Sequence, residues 1–252
     1  MSDPDNFRFL LRKRFAEGSV HARWTPSTRA ILPPVDAAID AAWHTLKSRP
    51  GVHLFDGPVC RFESFTVAGD RLTLAISETS YRLVAGTNFA NPHFAIEHGR
   101  GVMANPLGVS TLLHTADKFL MLGRRNHTVA YYPGRVHPFA GSMEVRERVD
   151  PFDNVRRELA EELGLTAPQI KRIVCLGLAE DAALLHPELI FVTDVAESRA
   201  GIAAALDLAE HSLTWSIDAR PAVVDAALDD PALTPIAKAV LTAWADDVQS
   251  RS

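Results

Sequence analysis

Three carboxylates fall at offsets 0, +3 and +4 in the segment "RRELAEELGL": Glu158, Glu161 and Glu162. On a helix those offsets bring side chains close together, and like charges so placed cost a few tenths of a kcal/mol per pair. A divalent cation held among the oxygens would offset that cost. A hard ion such as Mg2+ takes oxygen ligands and keeps several of its waters, so clustered carboxylates suit it better than thiols or imidazoles. The same spacing also occurs on a solvated acidic face, and the three residues alone leave both readings open.

The element that positions them has clear ends. Asp150 reads as an N-cap, Pro151 as the first helical residue and Asp153 as a first-turn acid, and Gly164 stops the helix. At about 100° per residue, Phe152, Val155, Leu159 and Leu163 form one apolar stripe. Glu158 and Glu162 project beside that stripe, and Glu161 lies further round the same flank near Arg157. A cation bound there would sit against the body of the protein.

Around this helix the periodicity is mixed. "PPVDAAIDAAWHTLKSRPG" predicts a helix opened by Pro34 and stopped at "SRPG". "VCRFESFTVAGDRLTLAISET" alternates apolar and polar residues on both sides of "AGD", a β-hairpin signal. "SYRLVAGTNFANPHF" reads as a loop. Strands are expected in the region "PLGVSTLLHTADKFLMLGRRNHTVAYYPG" and again in "IKRIVCLGLAED" and "PELIFVTDV". "AGIAAALDLAEH" is ambiguous, and "DDPALTPIAKAVLTAWADDVQ" predicts a closing amphipathic helix. No internal repeat or low-complexity tract is visible. The expected division is a β-rich extension over 1–100 and a main domain over 101–252.

Composition narrows the function classes. A net charge of −5 gives no support for general nucleic-acid or membrane binding, and the apolar runs are too short to span a bilayer. The acidic start "MSDPDNF" does not read as a signal peptide. Cys60 and Cys175 sit far apart in strand-like runs and read as buried free thiols, which points to a cytoplasmic, reducing environment.

The ordered arrangement is Gly141, five residues, Glu147, nine residues, then "RELAEELGL". It resembles the Nudix box, G-x5-E-x7-R-E-U-x-E-E-x-G-U with U aliphatic. The half from Arg157 to Leu165 matches at every specified position. The first half matches only with two extra residues between Glu147 and Arg157, which puts the role of Glu147 in doubt. The resemblance implies an α/β fold, a Nudix α/β/α sandwich with a mixed β-sheet, extended here by an N-terminal β-rich subdomain that caps the site. It also implies hydrolysis of a nucleoside diphosphate linked to another moiety, assisted by Mg2+ or Mn2+. Carried across by position, Glu158, Glu161 and Glu162 are the expected metal ligands. Arg157 would orient them by ion pairing, and Gly141 would let the backbone, its carbonyl included, approach the metal. A base outside the box is expected, with Glu180 and Glu188 as candidates; either also reads as an ordinary carboxylate.

Further stretches, "HLFDGPVCRFES", "SYRLVAGTN", "NPLGVSTLLHTADKFLMLGRR" and "LGLAED", are similar to the animal branch of the family that cleaves UDP-glucose and UDP-galactose. That likeness implies a nucleotide-sugar substrate yielding UMP and a sugar 1-phosphate. ADP-ribose or another dinucleotide, and a non-catalytic nucleotide sensor, are the alternatives. No nucleic-acid or membrane partner is expected, and the chain is expected to be a monomer or homodimer. Tyr81 could stack on a base, Arg82 or Arg125 could meet a phosphate, and Thr87 and Asn88 could bond sugar or uracil edges. Tyr81 as core and "GTN" as a mere turn is the competing reading. His114, His127 and His137 have no recurrent spacing and read as ordinary surface or packed histidines.

Overall fold

The computed structural model describes residues 6–49, 54–129, 131–208 and 211–251. The acidic N-terminal start and the "PG" of the first helix stop lie outside them. The first part of the chain holds strands β1 (Phe7–Phe15) and β2 (Val20–Trp24), helix α1 (Pro33–Lys47), and strands β3 (Pro58–Ala68) and β4 (Arg71–Ser80). Two short helices follow, α2 (Tyr81–Val84) and α3 (Phe94–Glu97), joined through a π-helical turn over Ala85–Phe89. Next come β5 (Gly108–His114), β6 (Phe119–Arg125), β7 (Val136–His137), β8 (Phe139–Ser142) and helix α4 (Pro151–Leu163). The chain continues through β9 (Ile170–Asp181), β10 (His186–Val195), α5 (Arg199–Ala205), β11 (His211–Asp218), α6 (Pro221–Ala227) and α7 (Pro235–Gln249).

The main sheet runs β1-β9-β10-β5-β6-β11, with β7 added beside β6 and β8 beside β5. It is mixed: β5 and β10 pair in parallel, whereas the other pairs are antiparallel. Alternation along β5 and β10 divides the apolar residues between two faces. Val109, Leu113, Leu189 and Phe191 join Phe152, Val155, Leu159 and Leu163 of α4 in one core. Leu112, Ile190 and Val192 join Ile236, Val240, Leu241 and Trp244 of α7 in the other. The result is the expected α/β/α sandwich. β9 changes face at a bulge: Cys175 and Leu178 share the α4 core although three positions apart. Gly177 makes this possible at φ 134, where a Cβ would lie 2.1 Å from the Leu11 carbonyl oxygen.

A second, three-stranded sheet, β2-β4-β3, holds the predicted hairpin, and Leu72, Leu74 and Ile76 of β4 enter the α4 core. The expected boundary at residue 100 does not follow the sheets, because β1 pairs with β9 in the large one. Residues 81–97 correct the expectation of a loop. Ser80 caps α2 through its side chain, and the turn that follows is pressed onto α1. A Cβ on Gly86 would sit 2.6 Å from Ile39 Cγ2. Tertiary packing against α1 thus holds a Gly/Asn/Thr-rich segment helical. The ambiguous Ala-rich stretch contains α5, with Ile202 buried. No helix among the described residues is long and apolar enough to cross a membrane.

Candidate functional site

The acidic helix α4 begins and ends as its sequence predicts. The Asp150 carboxylate accepts from Phe152 N at 2.9 Å, and Gly164 closes the helix in the left-handed conformation at φ 62. Its apolar stripe faces the core, so Glu158 and Glu162 beside the stripe are 8% and 6% exposed. Strand β8 runs alongside with small residues. A Cβ on Gly141 would lie 2.1 Å from Glu158 Oε1, so only glycine allows the helix flank and the strand to meet here.

Arg157 organises the carboxylates around itself. Its Nη2 donates to Glu158 Oε1 at 2.7 Å, and its Nη1 lies 3.0 Å from Glu144 Oε1 and 3.3 Å from Glu161 Oε2. Asn154 Nδ2 donates to the same Glu158 oxygen at 3.3 Å. Glu162 is anchored separately: its Oε1 accepts from Ala140 N at 3.5 Å, and its Oε2 lies 3.5 Å from His211 Nε2. The expected trio is therefore split. Glu158 and Glu162 are sunk between α4 and β8, whereas Glu161 points outward, its side chain 59% exposed. Among the described residues no three His, Cys, Asp or Glu side chains converge as a ready-made metal cage. The donors nonetheless fit a hard cation: all are oxygens, two are nearly buried, and Gly141 leaves the strand backbone within reach of Glu158.

Beside this cluster lies a cavity of about 1040 Å3. Gly141, Glu144, Arg157 and Glu158 line it on the acidic side, and Arg125, Tyr131, Tyr81 and Phe55 contribute from other parts of the chain. Tyr81 is half-buried: it lines the cavity and packs edge-on against Trp43 and Phe89. Arg125, at the end of β6, is 7% exposed, its Nε donating to the Tyr131 carbonyl at 3.1 Å.

Other sequence candidates stand elsewhere. Arg82 does not line the cavity; it ties α1 to the segment before β3, pairing with Asp40 and lying 3.6 Å from Asp56. Thr87 and Asn88 are fully buried and serve the backbone. Thr87 Oγ1 donates to Leu83 O at 2.7 Å, and Asn88 Nδ2 donates to Leu184 O at 2.9 Å. Their small polar side chains fit a buried turn as well as a ligand, and here the turn takes them.

Glu180 is saturated by Arg8 at 2.7 Å and by Arg100. Glu188 is 2% exposed and accepts from Ser110 Oγ, away from the cavity. Burial pushes its carboxyl up to about 7 and pushes the neighbouring His186 imidazole down to about 4. Glu147 is exposed and sits beside Trp24 at a separate shallow hollow. His114 pairs with Asp194 at 2.9 Å, and His137 is buried with Nδ1 2.8 Å from Thr234 Oγ1. Burial holds the His137 imidazole well below its ordinary range. Cys60 and Cys175 are buried free thiols, pushed up to about 12 by desolvation.

The sequence reading missed Glu144, Tyr131 and His211. Glu144 holds Arg157, whereas Glu147, whose role the insertion put in doubt, stands apart from the cluster. Its signal was its place just past a short strand of small residues that ends beside the helix. Tyr131 could have been suspected from the Tyr-Tyr-Pro-Gly run. His211 reaches Glu162 only through the pairing of β11 with β6, which no local pattern reveals.

No family model matches the chain. Four curated relatives do, among them the following three. Human uridine diphosphate glucose pyrophosphatase NUDT22 is 34% identical over 197 residues, 64% of this chain and 63% of the relative. The Bos taurus protein of the same name is 32% identical over 198 residues, 65% of this chain and 67% of the relative. Arabidopsis thaliana Nudix hydrolase 9 is 20% identical over 196 residues, 63% of each chain. The chain spans about six-tenths of the length of the curated relatives it matches.

Proposed function

The chain belongs to the Nudix hydrolase superfamily, and from that membership we propose that it hydrolyses a nucleotide sugar, UDP-glucose or UDP-galactose, to UMP and the sugar 1-phosphate. The observation that carries the reading is the shared cavity. Glu158 and Gly141 open onto the same space of about 1040 Å3 as Tyr81 and Arg125, room enough for a ligand of this size. Residues before and after position 100 both line it, so the small sheet and its helices help cover the substrate.

In this reading Glu158 and Glu162 would hold Mg2+ or Mn2+, with the Gly141 carbonyl as a further oxygen and Glu161 joining them by turning inward from its exposed position. Held there, a cation would supply charge neutralisation for phosphate oxygens and a more acidic water. The protein's own groups supply orientation. Arg157 and Asn154 fix the Glu158 oxygen, Ala140 N and His211 fix Glu162, and Tyr81 offers an aromatic surface to the base. Hydrolysis adds water across the diphosphate bridge, leaving one phosphate on uridine and one on the sugar. The burial of Glu188 and the two arginines on Glu180 argue against either as the base. Glu144 lines the cavity and is more open than either, its side chain 42% exposed, although Arg157 and Arg146 both pair with it.

Incubation of the protein with UDP-glucose and Mg2+, with ADP-ribose in parallel, and separation of the products by chromatography tests the reading. UMP and glucose 1-phosphate are expected from UDP-glucose, and Glu162→Gln is expected to remove most of that turnover while the protein still melts cooperatively. Preferential release of AMP from ADP-ribose would replace the substrate. Turnover in Glu162→Gln equal to the parent's would remove the metal assignment.

A further inference from the structure

Arg125 is a cation without a counter-ion at the wall of the cavity. It is sunk at the end of β6, 7% exposed, and only its Nε is used, donating to the Tyr131 carbonyl at 3.1 Å. Its guanidinium carbon lies 4.2 Å from the centroid of the Tyr131 ring, which in turn stacks on Phe89 at 4.9 Å and 27°. The column Phe89–Tyr131–Arg125 therefore sets the plane of the guanidinium before a ligand arrives. Among the described residues no carboxylate forms an ion pair with Arg125, and its two terminal nitrogens meet no acceptor. Two other arginines line the cavity: Arg157 is engaged by Glu144, Glu158 and Glu161, and Arg49 stands exposed at the edge, where water already solvates its charge.

A nearly buried guanidinium costs free energy unless something of opposite charge meets it. Its planar fork matches two oxygens of one phosphate, and a neutral sugar or base edge would leave the charge unmet. Glu188 lies within its field but is itself buried, with its carboxyl pushed up to about 7, so it gives Arg125 only partial compensation near neutrality.

We propose that Arg125 is the diphosphate anchor of the cavity: it grips a phosphate of the nucleoside diphosphate directly, without a cation, across the same space that Glu158 faces. The assignment rests on the nucleotide-sugar reading for the identity of the ligand, and it divides labour within the site. A cluster of carboxylates repels a diphosphate until a cation is present, so a separate basic group holds the nucleotide in the meantime.

The test is calorimetric titration of UDP, and separately of inorganic phosphate, into the protein in EDTA. Wild type, Arg125→Ala and Arg125→Lys are compared, each checked for an intact melting transition. UDP binding by wild type without metal is expected, weakened roughly tenfold to hundredfold in Arg125→Ala, the equivalent of a lost charged hydrogen bond. Arg125→Lys should recover only part of it, because an ammonium keeps the charge and loses the fork. Should the alanine variant fail to fold, the lysine variant decides the matter by the same criterion. Phosphate that competes with UDP places the anchor on a phosphate group as such. UDP affinity unchanged in the folded variants, or absent from wild type, overturns the proposal. Hydrolysis of UDP-glucose with Mg2+ is measured alongside. UMP release with unchanged UDP affinity in Arg125→Ala sinks the anchor alone; UDP binding lost in that variant, with no UMP from wild type, sinks the hydrolase reading alone.

Discussion

Replacing Glu188 with glutamine removes one ionisation from the centre of the sheet and nearly nothing else. The side chain is fully enclosed, faces Gly108 across the parallel β5–β10 pair, and accepts from Ser110 Oγ, a bond that a glutamine oxygen can also accept. A carboxyl that ordinarily ionises at 4.5 is held protonated up to about 7 here, by desolvation first. The folded state therefore binds this proton more tightly than the unfolded chain does. The stability it contributes is complete below 4.5 and is lost as the pH rises from there to about 7. At about 1.4 kcal/mol per decade of proton activity, that interval amounts to about 3 kcal/mol.

Glu188→Gln does not titrate, so its stability relative to wild type should climb by that amount across the same window and stay level outside it. For a chain of this size the change corresponds to roughly 6 °C in Tm. His186 acts in the opposite sense. Its imidazole is pushed from 6.5 down to about 4, so its contribution is present above 6.5 and is lost as the pH falls towards 4. In wild type the two opposing slopes offset each other between 4.5 and 6.5; in Glu188→Gln the histidine slope stands uncovered. Thermal melts of both proteins at pH intervals from 4 to 8 give the difference curve, and the hydrolysis assay should show the variant still active. A difference curve that is flat over the whole range would refute the argument that Glu188 is buried and neutral.

Gly141→Ala should abolish hydrolysis, since the added carbon would lie 2.1 Å from Glu158 Oε1 and drive that carboxylate out of the groove. Melting of the purified variant should show a loss of about 1–3 kcal/mol, the usual cost of forcing a methyl into a packed site. Asp150→Ala removes the bond to Phe152 N and should cost about 1 kcal/mol in denaturant titration, with little change in KM.

Much of this organisation was legible because it is local. The Asp-Pro start, the apolar stripe and the terminal glycine of α4 are separate signals that agree, so the helix and the place of Glu158 and Glu162 beside its buried stripe followed from the sequence, while the depth of their burial did not. The hairpin of β3 and β4 was equally plain, each strand alternating about a glycine turn. Residues 81–97 were not legible: their composition is that of a loop, and what makes them helical is the fit of Gly86 against Ile39, on a helix some forty residues earlier. The same limit explains Asn88, whose amide donates to carbonyls brought in from 184 and 185 by the tertiary fold, and Thr87, whose hydroxyl donates to Leu83 O and accepts from Ala104 N. Arg125 was legible as a basic residue near a strand end. That no carboxylate among the described residues pairs with it could be seen only once the chain was folded.

The first strand has a bearing on how this molecule could be rebuilt. β1 is a member of the large sheet, hydrogen-bonded to β9, and only after it does the chain leave to make the three-stranded sheet, returning at β5. In topological terms the small sheet is an insert, entered and left from one body, and not a module strung ahead of it. A chimera that grafts a different recognition sheet onto this hydrolytic frame should therefore splice between β1 and β2 and again before β5. Cutting at the N-terminus of the chain would carry away an edge strand of the frame and leave β9 with an unpaired backbone.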